Sequence, residues 1–224
     1  MEIEGVQGDP ITNLEDWRKF GPPAHEVHWK AGRSAMELAR FWVGTDSANT
    51  ESEGIIKELL GSEFPDLQLT RGFPEAKSQF DRFGGNVRNH DLLIEGINEG
   101  ERVVIAVEGK ADESFGASLE DQLVAANSAV AKNPRSNARN RLEYLTGLFL
   151  DRSAEQEAND PETSGIGYQL LTALAGTLAE ASDDQVAVFL VHEFETWATD
   201  RRNQEENERV YRSFVELMTE TPEQ

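Results

Sequence analysis

With 224 residues and 38% hydrophobic content, the chain can bury one sizeable core, and a single domain with terminal decoration is the expected organisation. The absence of cysteine excludes disulfides, thiolate zinc sites and cysteine nucleophiles, so any metal must be held by oxygen or histidine. A formal net charge of −21 weighs against a nucleic-acid enzyme, because phosphate backbones are bound chiefly by Lys and Arg.

The opening MEIEGVQGDP is acidic where a secretory signal would be basic and then apolar. No apolar run approaches about 18 residues, so the expectation is a cytoplasmic chain without a membrane span. Residues 1–29 read as an N-terminal arm, with one short amphipathic piece from Asn13 to Phe20 opened by an Asn cap. From Lys30 the text becomes AGRSAMELARFWVG, where Ala35, Leu38, Ala39 and Trp42 share a helical stripe, Ser34 is a plausible cap and Gly44 a stop. Glu37 lies in its first turn, where an acid also simply favours the helix dipole. A second helix is signalled from Thr50 to Leu60 by Ile55, Ile56, Leu59 and Leu60, and it carries Glu53. Leu67 to Arg71 alternates as a short first strand. Phe73 to Asn89 is a Gly-rich loop or ragged strand; with Arg71, Lys77, Arg82 and Arg88 it could contact a substrate backbone, a surface loop with scattered charges being the plain alternative.

The central stretch is Asn89 to Lys110, NHDLLIEGINEGERVVIAVEGK. His90 to Ile97 and Arg102 to Glu108 are rich in Leu, Ile and Val, and Asn98-Glu99-Gly100-Glu101 between them has the composition of a tight reversal, which predicts a β-hairpin. A turn centred between Glu99 and Gly100 sets Asp91 directly across from Glu108, with Cβ atoms ~5 Å apart on one face. Alternation sends Lys110 to the face of Glu108, while Val103, Ile105 and Val107 point the other way with Leu92, Ile94 and Gly96. Two carboxylates that close are either a mild liability or half of a site for a hard divalent ion. A lysine two residues on can orient a water or balance charge on a phosphoryl oxygen.

Beyond the hairpin, Ala111 to Gly116 turns the chain and Ser118 caps a helix running to Lys132, which Asn133-Pro134 must interrupt. Asn137 to Leu150 resumes as an amphipathic helix. Between Gln122 and Leu142 there is no acid, while Lys132, Arg135, Arg139 and Arg141 make a local basic run; a solvated face is the plain alternative. Asp151 to Ser164 has the composition of a mobile loop. Gly167 to Ala181 is a strongly apolar helix with small residues, Gln185 to Glu193 reads as a buried strand, and Thr196 to Met218 is a charged helix. The corresponding segments are an arm (1–29), a principal domain (30–195) and a C-terminal helix packed on that domain (196–224).

Asp91 followed by Glu108-Gly109-Lys110 at the end of an apolar strand resembles the active-site hairpin of the PD-(D/E)XK nuclease superfamily, with its restriction endonuclease-like fold. The likeness departs at His90, where the name-giving pattern has Pro, and a second carboxylate-x-Lys stands at Glu75-Ala76-Lys77. Only the Glu108 copy ends a buried-type strand with an Asp at hairpin distance before it. The element order contains α-β-β-β-α-β, the superfamily's common core, from about Arg33 to Glu193. The resemblance therefore implies an α/β fold with that core, a mixed sheet flanked by helices, and additional helices at both termini.

By the same resemblance, Asp91, Glu108 and the Gly109 carbonyl bind magnesium, for which manganese can substitute, and Lys110 positions the attacking water. An early-helix acid beside the metal falls to Glu37 or Glu53. Gln169 on the late helix is similar to a Gln that some relatives turn toward the metal or the scissile phosphate; a surface Gln is its plain alternative. Arg139 and Arg141 are expected to grip phosphates. The implied activity is a magnesium-dependent endonuclease of DNA, in genome defence, restriction or repair. A homodimer would suit cleavage of both strands, although no heptad pattern marks one. The rival expectation, drawn from the net charge, is a non-catalytic module on the same fold that binds a basic protein partner or imitates nucleic acid.

Overall fold

The computed structural model describes residues 1–84, 87–182 and 185–219. Five strands, β1 (Glu2–Ile3), β2 (Gln68–Ser78), β3 (Arg88–Asn98), β4 (Glu101–Lys110) and β5 (Val186–Glu193), form one mixed sheet in that spatial order. The β1/β2 and β4/β5 pairs are parallel, and β2/β3 and β3/β4 are antiparallel. The described helices are α1 (Leu14–Phe20), α2 (Ser34–Val43), α3 (Ala48–Leu60), α4 (Leu119–Lys132), α5 (Ala138–Phe149), α6 (Ala154–Ala158), α7 (Tyr168–Glu180) and α8 (Arg201–Thr219). Among the described residues no helix is long and apolar enough to cross a membrane.

The chain divides into two compact units. The first comprises Met1–Ser78, Arg88–Glu113 and Gly176–Thr199 and holds the whole sheet. Its core follows the expected alternation: Leu92 and Ile94 of β3 with Val103, Ile105 and Val107 of β4 pack against Leu38, Ala39 and Trp42 of α2 and Ile56 of α3. Leu93, Val104 and Ala106 face the other way, in a smaller cluster with Ala76. The hairpin turn takes positive φ at both central residues, Glu99 (51°) and Gly100 (90°), which matches the twist of the strands and sets the register Asn98↔Glu101 through Leu92↔Val107.

Residues 1–29, expected as an arm, are part of this unit. β1 extends the sheet beside β2, and Ile3, Ile11 and Trp17 are buried in the main core. The Asn13 side chain caps α1 by accepting from the Glu15 and Asp16 N–H groups, at 2.9 and 3.0 Å. β2 runs on through the first part of the stretch expected as a Gly-rich loop or ragged strand, as far as Ser78, because Phe73, Ala76 and Lys77 find partners on β3; Glu75 takes φ 55°, and the register also shifts between Leu69 and Arg71. β5, expected to be buried, is half-buried along its length, because it is an edge strand bonded to β4 alone.

The second unit comprises Gln79–Val87, Ser114–Ala175 and Asp200–Gln224. Phe80, Leu145 and Ala175 form an apolar cluster with Phe149 and Tyr168, and Ser118 caps α4 through the Asp121 N–H at 3.1 Å. The segment expected as a mobile loop contains α6, which starts with a Ser153/Gln156 capping box and is tied down by Arg152 to Glu157. The expected division into segments 30–195 and 196–224 gives way to these two interleaved units, because the long connection from β4 to β5 builds a core of its own.

Candidate active site

Below Leu92↔Val107 the β3/β4 ladder stops, and the next pair in register is Asp91 and Glu108. The Asp91 Oδ2 accepts the Gly109 N–H at 2.8 Å, and a Cβ built on Gly109 would lie 3.4 Å from that oxygen and 3.5 Å from Ser34 Cβ. The Asp91 carboxylate is thus seated against Gly109. Glu108 follows Val104 and Ala106 in the alternation of β4, and its charge acts on Asp91. The physical reason for the Asp91 position is local: once the strands part, the Gly109 N–H has no backbone acceptor on β3, and the Asp91 side chain supplies one.

Glu108 is 1% exposed, and its carboxylate accepts from Lys110 Nζ at 2.7 Å and is ion-paired with Arg88. Burial opposes its charge, but Lys110 and Arg88 outweigh that and hold its carboxyl below the usual carboxylate range. Asp91 goes the other way. Burial, and after it the neighbouring Glu108 charge, push its carboxyl up to about 8. Its only hydrogen bond among the described residues is the one from Gly109, so the second oxygen has no protein donor.

Three further residues join the cluster, of which Arg88 was expected only among the scattered basic side chains that could contact a substrate backbone. Glu75 accepts from Asn89 Nδ2, and burial raises its carboxyl to about 7, with Glu108 adding to the shift. It lines a cleft of about 260 Å³ with Lys77, Asn89, Phe20 and Pro74. His90, at 1% exposure, sits 2.8 Å from the Ser78 hydroxyl, and burial lowers its imidazole to about 4. Arg88 completes the set. The duplicated Glu-x-Lys was the one sequence signal for Glu75; nothing in local spacing pairs Arg88 with Glu108.

The other expected residues have local engagements. Glu37 accepts from the Gly32 N–H at 2.7 Å and from Arg40 at 2.8 Å, the arrangement of an acid serving the start of its own helix. Glu53 is bound by the Met1 amino group and Lys57. The acid that does reach the start of α2 is Glu113, which accepts from the Ser34 hydroxyl. In the second unit, Gln169 lies half-buried at the start of α7. Arg139 is bound to Glu143 at 2.7 Å, and Arg141 stands 2.6 Å from the buried Asp81 and over the Phe80 ring.

A hard divalent ion fits the chemistry of the donors where the strands part: two carboxylates, one with an oxygen lacking a protein donor among the described residues, and the Gly109 backbone, in a chain without cysteine thiolates. Among the described residues no three Asp, Glu or His side chains are arranged as a ready cage, so water and substrate would complete the shell.

A family model described as "Domain of unknown function (DUF6946)" matches residues 10–224. No curated protein and no solved structure matches the chain.

Proposed function

The chain belongs to the DUF6946 family, a domain of unknown function, and since membership brings no activity with it we propose one from the strand-end cluster: a magnesium-dependent nuclease that hydrolyses DNA phosphodiester bonds. The observation that carries the reading is the convergence of Asp91, Glu108 and Lys110 where β3 and β4 separate, linked through the Gly109 N–H and the Glu108–Lys110 pair. The strand order lends support, with antiparallel β2/β3/β4 followed by a helical crossover to a parallel β5. This is consistent with a restriction endonuclease-like core, with the Asp on its second strand and the Glu-x-Lys on its third.

In this reading Asp91, Glu108 and the Gly109 carbonyl hold the cation, and manganese can replace magnesium. When bound there, the ion polarises a phosphoryl oxygen and offsets the charge that builds on it. Lys110, on the same face as Glu108 and bonded to it, offers its ammonium to the attacking water or to the developing phosphoryl charge. Asp91 accepts the Gly109 N–H and so keeps the strand end in place. DNA as substrate, and a role in defence, restriction or repair, rest on the resemblance of the motif.

Asp91→Ala and Lys110→Ala should abolish magnesium-dependent cleavage of DNA while leaving the far-ultraviolet circular dichroism spectrum unchanged. Cleavage at the wild-type rate in either variant rejects the site. A second reading, a non-catalytic acidic interaction module, is favoured by the two cations that already compensate Glu108 and by the net charge of −21. Calorimetric titration with magnesium or manganese separates the two, since the module should show no saturable site that depends on Asp91 and Glu108.

A further inference from the structure

Arg88 is the member of the cluster to which the proposed chemistry gives no task. Its side chain is 10% exposed and is paired with Glu108, which is 2% exposed and already bonded to Lys110 at 2.7 Å. One carboxylate therefore carries two buried cations. The Arg88 Nε is itself buried and has no hydrogen-bond partner among the described residues. A purely structural ion pair is poorly served by this arrangement, because a buried donor left unsatisfied opposes folding. A guanidinium with an idle Nε–H is half of a fork that matches two oxygens of a phosphate.

The packing limits how this side chain can move. Gly176 of α7 comes so near that a Cβ there would lie 2.7 Å from Arg88 Cγ, so the helix limits the inner part of the side chain more than its guanidinium end. Glu108 is bonded to that end, and the carboxyls of Asp91 and Glu75 also feel its charge.

We propose that Arg88 is an exchangeable phosphate-binding residue: it neutralises Glu108 while the cluster is free of metal and, when a divalent cation takes that carboxylate, turns its fork to a backbone phosphate of the nucleic acid. The inference rests on the nuclease reading and adds to it the group that recognises the scissile phosphate. It also accounts for the doubled compensation of Glu108, since one of the two cations has a second post.

The test compares wild type, Arg88→Met and Arg88→Lys, by calorimetric titration with Mg2+ and by cleavage of a DNA duplex at saturating Mg2+. Arg88→Met, with no counterion to displace, should bind Mg2+ about tenfold more tightly, while its cleavage falls about tenfold or more through loss of the phosphate contact. Arg88→Lys keeps the charge and loses the fork, so its Mg2+ affinity should stay near wild type while its cleavage falls; this variant carries the test if Arg88→Met fails to fold. Unchanged Mg2+ affinity in a folded Arg88→Met, or wild-type cleavage by Arg88→Lys, overturns the exchange. A wild type that neither binds Mg2+ nor cuts DNA overturns the nuclease reading itself, an outcome distinct from cleavage that is indifferent to Arg88.

Discussion

Replacing Gly176 by alanine drives a methyl group into a space that β3 already fills. The new Cβ would stand 2.7 Å from Arg88 Cγ and 3.0 Å from both Cε1 and Nε2 of His90. Neither neighbour can simply withdraw. The His90 ring is buried and bonded to Ser78 at 2.8 Å, and Arg88 is touched near its root, not at its flexible end. With both neighbours pinned, overpacking takes the upper part of its usual range, about 2–3 kcal/mol, from which a helix-propensity gain of about 1 kcal/mol for Gly→Ala must be subtracted, leaving a net loss of about 1–2 kcal/mol. Gly147 supplies the internal control: it lies in the exposed part of α5, where an added Cβ meets nothing within 4 Å. Gly147→Ala should therefore stabilise by about 0.5–1 kcal/mol. Urea unfolding followed by circular dichroism reads both variants, and the predicted shifts have opposite signs. A Gly176→Ala protein as stable as wild type, or more so, would refute the close approach of α7 to β3.

Because burial and Glu108 push the Asp91 carboxyl up to about 8, the folded protein keeps a proton at Asp91 that the unfolded chain has lost between the ordinary aspartate range near 4 and about 8, and this group's contribution to stability declines across that window. The decline is at most about 1.4 kcal/mol per pH unit. Asp91→Asn should flatten this slope in unfolding curves at pH 5 and pH 8, and an unchanged slope counts against the assignment. Ser118→Ala removes the α4 cap and should lower stability by about 1 kcal/mol, measured by the same unfolding assay; a change within error would mean that the cap bond is idle. Asp81→Ala strands Arg141 beside Phe80 and should cost about 3 kcal/mol, whereas Arg139→Ala breaks only a partly exposed pair and should cost about 1 kcal/mol or less. Equal thermal shifts in those two variants would contradict the difference in burial.

The central hairpin could be read from its residues because period-two alternation and an Asn-Glu-Gly-Glu reversal are local signals, and the register they imply is the one found. What local signals could not carry is the parting of the strands just beyond Leu92. That event seats Asp91 on Gly109 and brings Arg88, which the chain places at the far end of β3, onto Glu108. The basic run of α4 and α5 misleads for a related reason: charge along the chain says nothing of the acids that tertiary packing brings to Arg139 and Arg141. Glu37 took the ordinary role of an acid in a first helical turn. The burial of residues near the N-terminus escaped notice because Ile3, Ile11 and Trp17 are too widely spaced to show a period.

The lone bond between β5 and its neighbour has a consequence for synthesis on the ribosome. The hairpin can form as soon as Lys110 has emerged, but Val191 and Glu193, which lie beside Glu108 and Lys110, arrive only after the entire crossover has been translated. Until then β4 presents a row of unpaired amide and carbonyl groups along a strand rich in Val and Ile, next to the half-finished acidic cluster. A nascent chain stalled before Val186 is thus both adhesive and chemically incomplete, and the strand that is last to be made is the one that ends its exposure.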